Sequence, residues 1–261
     1  MAKVLVISGG SSGIGKATAS LFAERGWRVF ELSRHGEDHE GITHIECDVC
    51  SEESTHRAME EVLRQTDHID VAISNAGFGI SGPIEFTEIK EIDHQMDVNF
   101  TGAVRFTQAI LPQLRKQQSG RLIYTSSVAA QLAVPYQAFY SASKAAINAF
   151  ALALANELRD FHISVSVIMP GDVYTAFTDS RRKSTAGEEI YHHAARAIKA
   201  MERDERDGMD PMQMAKLFYH IATCHSPRPQ YVGGLSYRLL CFFDHLLPKR
   251  LVNWIEYKLY S

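Results

Sequence analysis

The sequence predicts a single α/β domain, a doubly wound parallel sheet with helices on both faces. Three observations predict it. Short β-branched runs alternate with longer stretches of helical period through the first 170 residues, most strand candidates are continuously apolar, and a glycine cluster falls at the first strand-to-helix junction. No internal repeat or low-complexity linker interrupts the series, so residues 1–261 read as one domain.

The strand candidates are residues 3–8, 28–33, 43–47, 69–74, 121–126 and 163–169, and the helical segments are 14–25, 52–66, 88–93, 98–117 and 139–161. After Pro170 the chain turns polar and charge-rich, with Arg181-Arg182-Lys183 and a run of alternating charge at 202–207. A long insertion at the carboxyl edge of such a sheet is where a substrate lid sits, so residues 174–210 are read as a lid. A helix at 212–224 and an apolar C-terminal extension, residues 235–261, complete the chain.

Composition narrows the function classes. With 27 Lys+Arg against 31 Asp+Glu, the net charge of −4 offers no overall attraction to a polyanion, which argues against a nucleic-acid binder. Cys47, Cys50, Cys224 and Cys241 are too few and too scattered for a disulfide framework, which fits a reducing, cytoplasmic setting. The N-terminus reaches glycine too early for a secretory signal, and no apolar run approaches the roughly 18–20 residues needed to span a bilayer. The expectation is a soluble protein, in contact with a membrane at most peripherally.

Ser8-Gly9-Gly10-Ser11-Ser12-Gly13-Ile14-Gly15 closes the first strand and opens the first helix. Glycines permit a tight turn and close backbone approach to a pyrophosphate, and the first amides of the helix direct positive partial charge at it. At the end of the second strand Ser33-Arg34 offers a hydroxyl and a guanidinium, which suit a ribose 2′-phosphate through charge-assisted hydrogen bonds. Glu31 could instead accept from a 2′-hydroxyl, but it lies two residues inside the strand.

Tyr140 and Lys144 are four residues apart in a helical segment and share one face. A tyrosine exchanges protons near neutral pH only if its pKa falls well below about 10, and a neighbouring ammonium acts in that direction. His192-His193 diverge by about 100° on a helix and have no metal-site pattern around them, so they read as lid-surface residues and no metal is expected. Cys47 and Cys50 bracket a strand end rather than opening a helix, and read as small buried side chains.

The Gly-x-x-x-Gly-x-Gly spacing resembles the short-chain dehydrogenase/reductase family. The resemblance continues through Asp48-Val49, Ser74-Asn75-Ala76-Gly77, Asn99, Ser126-Ser127, Tyr140-x-x-x-Lys144 and Pro170-Gly171-Asp172-Val173-Tyr174-Thr175, so it covers residues 3–175. It implies a Rossmann-type fold and a catalytic set of Asn99, Ser127, Tyr140 and Lys144. The serine would hold the substrate oxygen, the lysine the nicotinamide ribose, and the asparagine would distort its helix and hold a water linked to the lysine. Ser126 falls out of that register and is read as a supporting residue.

The implied cofactor contacts are Gly9, Ser11, Ser12, Gly13, Ile14, Gly15, Ser33, Arg34, Asp48, Val49, Asn75, Ala76, Gly77, Tyr140, Lys144, Pro170, Val173 and Thr175. In the family register the acidic NAD-selecting position falls on Ser33, so NADP(H) is expected. Apolar segments at 78–80, 131–136 and 174–177 favour a bulky apolar alcohol or ketone. The amphipathic tail resembles that of hydroxysteroid and retinol dehydrogenase-like members, which makes a hydroxysteroid the expected substrate, with retinoid or acyl-chain carbonyls as alternatives. The set class of alternative is a noncatalytic NADP(H) sensor, against which the complete catalytic set argues. The alanine-rich face of 139–161 predicts a homodimer or homotetramer.

Overall fold

A computed structural model describes residues 2–260. The first half of the chain runs β1 (Val4–Ser8), α1 (Gly13–Glu24), β2 (Arg28–Ser33), β3 (Ile42–Glu46), α2 (Glu52–Gln65), β4 (Val71–Ser74), β5 (Ile80–Ser81), α3 (Ile89–Met96) and α4 (Gly102–Gln117). The second half runs β6 (Gly120–Thr125), α5 (Ala138–Glu157), β7 (Ile163–Pro170), α6 (Phe177–Ser180), β8 (Arg182–Lys183), α7 (Ala194–Arg206), α8 (Pro211–Thr223), β9 (Gln230–Gly233), α9 (Leu235–Leu246) and α10 (Lys249–Tyr260).

Seven strands form one parallel sheet in the order β3-β2-β1-β4-β6-β7-β9. Side chains alternate across it. Val4 and Val6 of β1 pack with α2, α4 and α5 residues such as Val62, Ile110 and Leu154, whereas Leu5 and Ile7 pack with Phe22 of α1 and Phe218 of α8. Both faces are therefore covered, which explains the continuously apolar strand sequences. The order reverses between β1 and β4, and their carboxyl ends open the crevice in which a ligand of such a sheet binds.

Two expectations change. The helical segments at 88–93 and 98–117 are joined by a π-helical turn, Asp97–Thr101, so Asn99 lies in the distortion. α5 ends at Glu157 and a separate 3-10 turn, Arg159–Phe161, completes the stretch read as one helix. α5 is also, by length and composition, apolar enough to cross a bilayer, but Ile147, Ala151 and Leu154 pack into the sheet core. Its outer face leaves Ala142, Ala149, Leu152 and Ala153 exposed.

The lid is ordered by its own contacts. β8 pairs with β5, and α7 buries Ala194, Ala197, Ile198 and Met201. β9 is absent from the sequence reading because its four residues are too few to show a period.

Candidate active site

A cavity of about 740 Å³ lies over the carboxyl ends of the strands. Its floor begins at the glycine turn. Gly9 and Gly13 have φ of +66° and +53°, conformations that favour glycine. Gly15 has no room for more: a Cβ there would lie 2.0 Å from the Gly9 carbonyl oxygen. Asn75 ties the turn to the sheet, its Nδ2 donating to the Gly9 carbonyl at 2.9 Å and its Oδ1 accepting from Thr125 Oγ1 at 3.1 Å.

These residues fit a dinucleotide. The first turn of α1 carries no acidic residue and Ser12 makes no side-chain cap, which leaves its amides for a pyrophosphate. Glu31 is taken up beneath the turn, where Oε1 accepts from the Gly10 amide at 2.9 Å and Oε2 lies 2.6 Å from His44 Nδ1. It does not reach the cavity wall, whereas Ser33 and Arg34 do. Arg34 is exposed and, among the described residues, has no ion-pair partner.

All the expected cofactor contacts line this cavity except Gly15, which sits behind it. Asp48 and Val49 form the side wall, with one Asp48 oxygen, Oδ1, accepting from the Cys50 amide at 2.9 Å. Burial pushes the Cys47 thiol up to about 11 and the Cys50 thiol up to about 12, so neither is a thiolate near neutrality. His192 and His193 are exposed ahead of α7.

Ser127, Tyr140 and Lys144 also line the cavity. Asn99 does not; it is buried behind them, with Nδ2 donating to the Phe78 carbonyl and to Ser143 Oγ, each at 3.0 Å, and Oδ1 accepting from the Phe78 amide. Gly77 separates Asn99 from Lys144 without a side chain, since a Cβ there would meet Asn99 Oδ1 at 3.2 Å and Lys144 Nζ at 3.4 Å. Ser126 holds the α5 backbone by donating to the Lys144 carbonyl at 2.9 Å.

The proton affinity of Tyr140 corrects an expectation. Lys144 was expected to lower it, but burial pushes the phenol up to about 12, with the Ser127 hydroxyl opposing the rise. The reason is geometric. Lys144 Nζ donates to the Thr125 carbonyl at 2.9 Å and lies 5.8 Å from the centroid of the Tyr140 ring, over its face. Burial in turn brings Lys144 down to about 8.

That shift has a consequence for stability. The folded-state value for Lys144 is lower than the 10.5 of a free lysine, so between pH 8 and 10.5 the unfolded chain binds more protons and stability rises with pH. Below pH 8 the penalty is full, roughly 3 kcal/mol. Lys144→Met removes it, so the unfolding free energy of the variant minus that of wild type should shrink by roughly 2–3 kcal/mol between pH 7 and 10.5. Denaturation of the cofactor-free protein at the two pH values measures this, and a pH-independent difference contradicts it.

The remaining wall is largely apolar, with Asp204, Glu205, Asp244 and Glu256 among its lining. Of the expected substrate-facing segments, Phe78, Leu132, Val134, Ala176 and Phe177 reach the cavity, while Ile80, Gln131, Tyr136 and Tyr174 do not. Tyr174 is instead exposed at the surface. The sequence reading missed which tail residues matter: Tyr237, Leu240 and Phe243 of α9 and Val252, Ile255 and Leu259 of α10 complete the wall. Only their amphipathic spacing signalled it.

Inside the lid, Arg181 and Glu205 form a buried ion pair, and Glu205 Oε2 accepts from Thr178 Oγ1 at 2.7 Å. Arg181 stands 5.6 Å over the Phe177 ring, which packs at 5.6 Å against Tyr140. No motif marked these residues.

Comparison with known proteins adds to this geometry. The family model for short chain dehydrogenase matches residues 3–186. The chain is 36% identical over 257 residues to a 3-ketodihydrosphingosine reductase of Bacteroides thetaiotaomicron, covering 97% of this chain and 96% of that protein. It is 32% identical over 190 residues to retinol dehydrogenase 8 of Bos taurus, covering 67% and 60%. A short-chain dehydrogenase from Streptomyces avermitilis superposes with a TM-score of 0.84 at 26% identity, covering 99% of this chain and 97% of the other.

Proposed function

The chain belongs to the short-chain dehydrogenase family, and on that premise we propose that it is an NADP(H)-dependent reductase of ketones carried on a long acyl chain. One observation carries the substrate reading: the apolar faces of α9 and α10 line the same cavity as Ser127 and Tyr140. A long apolar chain can be buried there next to the reacting carbonyl. We put the acyl chain ahead of the steroid skeleton expected from the sequence because of the 36% identity, across nearly the full chain, to a reductase of a long-chain ketone.

When bound, the nicotinamide supplies hydride to the carbonyl carbon. Every other requirement falls to side chains. Ser127 Oγ, which accepts from the Ala129 amide at 3.1 Å, can donate a hydrogen bond to the carbonyl oxygen while keeping its proton, and Tyr140 delivers the one proton that completes the alcohol. A phenol held near 12 is fully protonated at neutral pH, as a proton donor in the reducing direction must be. Lys144, near 8, would bind the ribose and return a proton toward Tyr140. Asn99 fixes the Phe78 backbone, next to the Gly77 that Lys144 Nζ lies beside. The apolar tail helices exclude water from the reacting carbon.

NADPH oxidation with octadecan-3-one, a 3-ketosteroid, retinal and a short polar ketone tests the reading. Octadecan-3-one should give the highest kcat/KM, by about tenfold or more over the short polar ketone, on the transfer free energy of the extra buried methylenes. Turnover confined to the short polar ketone refutes the bulky-substrate reading.

A further inference from the structure

Near Tyr140 the cavity holds a carboxylate with no ion-pair partner among the described residues; Asp48 and Glu256, elsewhere on the wall, have none either. Asp172, in the loop after β7, lines the cavity half-buried, and its Oδ2 accepts a hydrogen bond from Tyr237 OH at 2.5 Å. Tyr237 is a neutral donor, and no cation of the described residues pairs with Asp172. The neighbouring carboxylates differ: Glu205 is paired with Arg181, and Asp204 with Arg203. Arg182, the cation that the lid contributes to the cavity wall, is stacked on Phe78, and Arg181, whose charge Asp172 feels, is committed to Glu205.

This pair is built into the backbone. The Tyr237 ring lies where side chains of Gly171 and Gly234 would be, since a Cβ at Gly171 would come 2.1 Å from Tyr237 Cδ2 and one at Gly234 would come 3.0 Å from the same atom. Two glycines thus admit the ring that holds the carboxylate, and the link joins the loop after β7 to the first turn of α9, sixty-five residues away. Asp172 is also close enough to Tyr140 for its charge to raise the proton affinity of the phenol, and burial raises its own. Leaving a carboxylate uncompensated in an apolar cavity is costly, and a cation brought by a ligand removes that cost.

We propose that Asp172, held by Tyr237, is the specificity-determining residue that binds an ammonium group on the carbon next to the reacting carbonyl, so that the substrates are long-chain α-amino ketones. This rests on the long-chain ketone reading of the same site. Tyr140 and Ser127 take the carbonyl oxygen, Asp172 takes the ammonium, and the chain lies against α9 and α10.

The test compares 2-aminooctadecan-3-one with octadecan-3-one, presented in identical mixed micelles with NADPH. The wild type should favour the amino ketone by about tenfold or more in kcat/KM, the scale of a charge-assisted hydrogen bond, and in Asp172→Asn the ratio should fall close to one. Asparagine keeps the shape and an acceptor for Tyr237, and a purely structural defect would lower both rates while leaving the ratio unchanged. The N-acetylated amino ketone should behave as the amine-free chain does. A wild-type ratio near one, or a ratio that survives Asp172→Asn, overturns the proposal while leaving the long-chain reading intact. Failure of both ketones overturns the long-chain reading itself.

Discussion

Tyr140→Phe should reduce carbonyl turnover by about 10³-fold, the scale of a lost general acid, while NADPH affinity changes by no more than about fivefold. The substitution removes one oxygen and little else. The ring keeps its packing against Phe177 at 5.6 Å and its place beneath Lys144 Nζ. Because the phenol is buried and costs desolvation, the variant should be no less stable than wild type. A hydroxyl held near 12 by burial remains a donor across the neutral range, so the wild-type rate of reduction should not fall as pH rises from 6 to 8 through Tyr140 deprotonation. Stopped-flow turnover and fluorescence titration with NADPH read the two effects separately. A variant that keeps a tenth of the wild-type rate removes Tyr140 from proton transfer.

Ser33→Asp with Arg34→Ala should invert cofactor choice, shifting the NADPH/NADH ratio of kcat/KM by about 10³-fold. Two effects add: the guanidinium that matches a dianionic 2′-phosphate is lost, and a carboxylate that repels it is gained, each on the scale of a charged hydrogen bond. The Ser33 environment shapes the experiment, since its Oγ lies 3.2 Å from Glu31 Oε2 and 2.8 Å from the His35 carbonyl. An aspartate there meets the Glu31 carboxylate, which repels it. Arg34→Ala alone therefore serves as the second arm, and it should weaken NADPH by about tenfold without improving NADH. An unchanged ratio in both variants sinks the NADP(H) assignment.

How much of this was legible in the sequence depended on how far apart in the chain the interacting parts lie. The glycine turn, the six strand ends and the Tyr140 to Lys144 helix spacing are local, and their order along the chain carried the fold class. Asn99 was legible as a helix distortion, and the π-helical turn lies at that position. The proton affinity of Tyr140 was misjudged because it depends on burial and on which way Lys144 points, and Thr125, nineteen residues upstream, decides the latter. The Arg181–Glu205 pair and the Asp172–Tyr237 link join segments twenty-four and sixty-five residues apart, with no periodic pattern to announce them. β9 and the two-residue strands β5 and β8 were invisible for the same reason: they exist through pairing and not through local propensity.

The most direct test of the central claim follows the hydrogen. Incubation of the protein with octadecan-3-one and NADPH carrying deuterium at both C4 positions should yield octadecan-3-ol one mass unit heavier than the product from unlabelled NADPH, with the deuterium on the carbinol carbon. Absence of the alcohol, or an alcohol without deuterium, contradicts reduction of a long-chain ketone at this site.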